Sequence, residues 1–102
     1  MPLNPRIPRQ VELMGLTYTT VEGPDLRAED GNFAEVKHGP QRIIIDASMH
    51  PDRQCVCAIH EYLHVANLQL GLQLKEAEIE SLSQWLYMVL KVNRLHFDQS
   101  EK

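Results

Sequence analysis

Apolar residues along this chain change their spacing once, and the change divides it into two halves. In residues 11–22, Val11, Leu13, Leu16, Tyr18 and Val21 stand among threonines in an imperfect alternation that predicts a strand kinked at Gly15. Gly23-Pro24-Asp25 breaks it, and residues 25–32 are polar, with Asp30-Gly31-Asn32 the strongest turn signal. Phe33-Ala34-Glu35-Val36-Lys37 alternates again as a short strand. His38-Gly39-Pro40 reads as a tight turn into a third strand, Gln41-Arg42-Ile43-Ile44-Ile45-Asp46. Connections this short predict a meander of three antiparallel strands.

Beyond Asp46 the spacing becomes helical. Pro51 and Asp52 carry helix-start chemistry, and Val56, Ile59, Leu63, Ala66 and Leu70 follow at helical intervals. Gly71 supplies a left-handed cap. A second helix is predicted from about Leu74 to Asn93, with Ile79, Leu82, Leu86, Val89 and Leu90 on one side. The expected fold class is α+β: a small antiparallel three-stranded sheet followed by a two-helix hairpin. Residues 1–10 read as an extended N-terminal arm, 11–97 as a single domain and 98–102 as a polar tail.

Composition narrows the function. The 102 residues are 43% hydrophobic and 24% charged, the balance of one globular domain. A net charge of −4 without a basic patch argues against a nucleic-acid partner. No apolar run is long enough for a membrane span. The N-terminus carries Pro2, Pro5 and Pro8 and lacks the apolar stretch of a signal peptide, so a cytoplasmic protein is expected. Cys55 and Cys57, roughly 200° apart on a helix, point to different faces and cannot bridge each other.

The chemistry concentrates in His60-Glu61-Tyr62-Leu63-His64, an H-E-x-x-H pattern on the first helix. Histidines four apart lie about 40° apart around the axis and one turn apart along it, so two imidazoles can converge on one tetrahedral ion. Glu61, about 100° from His60, is too far round to join them as a ligand. It can serve as general base towards a water at the metal. Zinc is the expected cofactor. A catalytic zinc takes a third protein ligand and keeps one position open. Glu78 of the second helix faces its apolar side. Glu76 and Glu80 share the other side, about 40° apart. With the hairpin turning near residue 72, Glu80 stands level with His64 and is the expected ligand. Glu76 sits about one turn lower, as a residue bonding to a ligand or as the rival ligand. Tyr87, seven residues past Glu80, is a candidate donor to a developing oxyanion. The strand before the metal helix offers backbone groups of Ile43, Ile44 and Ile45 for pairing with an extended substrate.

His60-Glu61-x-x-His64, the short loop at Gly71, and Glu80 followed by Ser83, Leu86, Tyr87 and Leu90 together resemble the ImmA/IrrE-like zincin metallopeptidases. Residues 42–46 and the strand and turn before them resemble small phage-borne members of that group. The resemblance implies a minimal zincin in which a His-His-Glu set holds zinc, Glu80 opening the E-x-x-A-x-x-F-type pattern with Ser83 at its Ala position. It implies an endopeptidase acting on a regulatory or repressor protein. The alternative from another class is a non-catalytic, zinc-stabilised module that binds a protein partner.

Overall fold

The structure is a computed structural model that describes residues 3–23 and 34–95. The turn expected at 25–32, Phe33 and the polar tail at 98–102 lie outside the described residues. Among the described residues four strands form, not three. Strands β1 (Gln10–Leu13) and β2 (Leu16–Gly23) divide the expected first strand, because Met14 and Gly15 take φ of 50° and 88°. Two consecutive left-handed residues make the tight hairpin turn that pairs Leu13 with Leu16, so Gly15 turns the chain instead of kinking one strand.

Strands β3 (Ala34–Lys37) and β4 (Arg42–Asp46) form the second hairpin, and the sheet order is β1-β2-β4-β3. β4 is antiparallel to β3 but parallel to β2, with Thr20 opposite Ile43 and Glu22 opposite Ile45. The sheet is therefore mixed, and the expected antiparallel meander is corrected. The physical reason lies in β4 itself. Three consecutive isoleucines gain most from an interior position, where neighbours cover the strand on both sides. Ile43 and Ile45 are fully buried and anchor a core with Leu3, Ile7, Tyr18 and Val65.

Helix α1 (Pro51–Gln69) starts at Pro51 as expected, with the His50 ring accepting the Asp52 N–H at 3.1 Å. Gly71 follows its C-cap at φ 64°, as expected. Helix α2 spans Glu76–Asn93 and packs on α1, while α1 packs on β1, β3 and β4. α1 is thus a middle layer. Its stripe of fully buried residues is Gln54, Ala58, Glu61 and Val65, about 150° around the axis from the stripe of Val56, Ile59, Leu63 and Ala66 read from the sequence. The buried stripe faces the sheet and the sequence-read stripe faces α2. On α2 only Ile79 and Ser83 are fully buried, and Leu82, expected on the packed side, is exposed.

The N-terminal arm is docked. Leu3 and Ile7 enter the core, and the Asn4 N–H donates to Gln54 Oε1 at 2.8 Å. Gln54 Nε2 donates to the carbonyls of Met49 (3.0 Å) and Ala47 (3.3 Å), so one buried amide ties the arm to the β4–α1 connection. Gln54→Leu keeps the volume and strands the Asn4 N–H and these two carbonyls. It should destabilise the protein by about 2–4 kcal/mol in urea unfolding; an unchanged or higher midpoint would show that apolar contact alone docks the arm.

Candidate metal centre

His60 and His64 lie on the flank of α1 between the sheet and α2, where a cavity of about 490 Å³ opens. Its walls include Glu61 and Cys57 of α1, Glu76 and Glu80 of α2, and Glu35 of β3. The two Nε2 atoms are 3.2 Å apart, and Glu76 reaches both: Oε1 to His60 at 2.6 Å and Oε2 to His64 at 3.0 Å. Glu80 takes the other end of the first ring, its Oε1 lying 2.9 Å from His60 Nδ1.

The two carboxylates stand the other way round from the sequence expectation, and the hairpin connection explains why. α2 begins at Glu76, about two residues later than expected. Before it, the Asn67 side chain holds Leu74 on both sides, accepting its N–H at 3.1 Å and donating to its carbonyl at 3.4 Å. Lys75 then caps α2, its N–H donating to Glu78 at 2.7 Å. This connection, held at Asn67, raises α2 against α1. Glu76, in the first turn, comes level with the histidine pair, and Glu80 falls one turn further along, behind His60.

The donor set fits a metal ion. Bonds of 2.0–2.1 Å in a tetrahedron put ligand atoms roughly 3.3–3.4 Å apart, close to the His60–His64 separation. With Nδ1–H of His60 directed at Glu80, a neutral ring turns the Nε2 lone pair towards the Glu76 carboxylate, and His64 Nε2 meets the same point. His60, His64 and Glu76 are thus a group that could hold a metal ion. Glu80 matches the carboxylate that commonly orients a metal-binding imidazole from behind.

Glu61 is 5% exposed, although the sequence-read apolar stripe placed it away from the buried face. Burial raises its carboxyl to about 7; the nearby His60 opposes that shift, and Glu76 and Glu35 reinforce it. Burial also pushes Glu80 up, but the Gln84 amide (2.7 Å), His60 and Arg53 outweigh it and hold the carboxyl below its usual value. Burial lifts the Cys57 thiol to about 11, so it stays protonated at neutral pH.

Four expected site residues are elsewhere. Tyr87 lines a different cavity and donates to Asp52 Oδ1 at 2.8 Å. Ile43, Ile44 and Ile45 lie in a strand paired on both sides, so their backbone is not open to an added strand. Among the described residues β3 pairs with β4 alone, and Ala34, Glu35 and Val36 border the cavity. Glu35, His38 and Arg53 also reach the cavity wall, and sequence spacing carried no signal for them. Comparison with protein-family models, curated proteins and solved structures finds no match.

Burial of Glu61 has a consequence for stability. Between about pH 4.5 and 7 the metal-free folded chain keeps a proton on Glu61 that the unfolded chain has released. Stability therefore falls as pH rises through that window and levels off above it. Glu61→Gln is neutral throughout, so the stability it adds to chelator-treated protein should grow from pH 4.5 to 7, reaching a few kcal/mol in urea unfolding. A difference that stays constant with pH would show that Glu61 titrates normally.

Proposed function

We propose that the protein is a zinc-dependent endopeptidase of the H-E-x-x-H type, in keeping with its resemblance to ImmA/IrrE-like zincins. The observation that carries the reading is the convergence of His60, His64 and Glu76 on one point beside the buried Glu61. In this reading those three residues hold zinc, and Glu80 orients His60. Bound zinc supplies Lewis acidity, polarising a carbonyl and lowering the pKa of a water. Glu61 takes the proton of the attacking water and delivers it to the leaving amine. Its carboxyl, raised towards neutrality by burial, suits both transfers, and the positive charge of an ion beside it favours the ionised form that must act first.

A protein or peptide substrate enters in extended form along β3, whose outer backbone edge, unpaired among the described residues, borders the cavity. Arg53 and His38, on the same wall, are the donors available to a substrate carbonyl, the role expected of Tyr87.

The purified protein should carry one zinc per chain. Glu76→Ala should lose most of the affinity, whereas Glu80→Ala should weaken it only about ten- to a hundredfold, as the loss of an orienting partner does. Competition against a chelator measures both, and a reversed order would return Glu80 to the ligand set. Glu61→Gln should keep the zinc and the fold while lowering peptide turnover by about a hundredfold or more. Equal turnover by the variant would remove Glu61 as the base. Stoichiometric zinc with no cleavage of any protein or peptide offered to the wild type would favour the non-catalytic module instead.

A further inference from the structure

The flank of α1 opposite the histidines holds a second cavity, of about 470 Å³, between α2 and the docked N-terminal arm. Its floor is apolar, built from Ile7, Ala58, Ile59 and Leu90. Arg6, Lys91 and Arg94 surround it, and no carboxylate is among the described residues that line it. In a chain of net charge −4 this is a local reversal of sign. The nearest acid, Asp52, is held by Tyr87 (2.8 Å) and Lys91 (3.1 Å), which leaves Arg6 and Arg94 without a carboxylate partner among the described residues. Tyr62 also lines this cavity, and its hydroxyl is buried with no hydrogen-bond partner among the described residues. A buried phenol without a partner is costly and gains from any ligand oxygen that reaches it.

An apolar floor, a cationic rim and an unsatisfied donor define one ligand chemistry. We propose that this cavity binds a single-chain amphipathic carboxylate, with the acyl chain on Ile7, Ile59 and Leu90 and the carboxylate at Arg6 and Arg94, accepting from the Tyr62 hydroxyl. The cavity size falls in the range of small-molecule sites. The rim cations reject a cationic head and favour an anionic one. The site lies across α1 from the histidine pair and does not depend on the proposed peptidase reading.

The test titrates the zinc-loaded full chain with decanoate, decanol and decyltrimethylammonium, following the methyl resonances of Ile7, Ile59 and Leu90. Decanoate should saturate and bind about tenfold or more tightly than decanol, and the ammonium compound should not bind. Shortening to octanoate should weaken binding up to about fifteenfold, about fourfold per buried methylene. Arg6→Ala with Arg94→Gln, both exposed positions, should erase the preference for the carboxylate while keeping the dependence on chain length. Tyr62→Phe should weaken decanoate several-fold without lowering the melting temperature of the empty protein. Decanol binding as tightly as decanoate would overturn the proposal, and so would resonance shifts confined to Leu82, Trp85 and Met88 on the outer face of α2.

Discussion

The structure turns on α1 being a middle layer. A helix packed on one element needs one apolar stripe, but α1 has the sheet on one side and α2 on the other. Two flanks remain, and each opens into a cavity, one beside His60 and His64 and the other beside Ile59 and Tyr62. Almost every position on this helix therefore carries a constraint. Residues that an outer helix would present to water serve here as cavity walls or packing.

The sheet-facing stripe shows what this position demands. Two of its four buried residues, Gln54 and Glu61, are polar, and each has a distinct task. Gln54 satisfies three backbone groups and fixes the arm. Glu61 gains a raised pKa from the same burial, so the packing that holds the helix against the sheet also sets the acidity of a carboxyl that lines the histidine cavity.

His60 links this layer to α2. An imidazole has two nitrogens directed away from each other, and carboxylates one turn apart on α2 meet both. The pair therefore fixes the rotation of the ring and the height of α2 together. α2 itself is weakly buried, with Trp85, Met88 and Val92 exposed on its outer face. A cation at the histidine pair would strengthen the tie between the helices where apolar packing supplies little.

The sequence by itself determined what depends on neighbours along the chain. Pro51 and Gly71 bound the first helix, the five residues from His60 to His64 define its chemistry, and the β3–β4 hairpin follows from a short turn between alternating runs. Each is a local property of spacing, capping or backbone freedom. The tertiary structure alone decided what depends on two segments meeting. It put β4 inside the sheet, because three isoleucines gain most where they are covered on both sides. It put Glu61 against the sheet, because α1 is covered on two faces and one periodic stripe in the sequence marks only one of them. It sent Tyr87 to Asp52, because the antiparallel packing of the helices brings the later turns of α2 to the first turn of α1. It exchanged Glu76 and Glu80, because Asn67 holds Leu74 and delays the start of α2. A residue's rotation about its own helix is readable from spacing, but the height of one helix against another is set by how a connecting loop satisfies its hydrogen bonds.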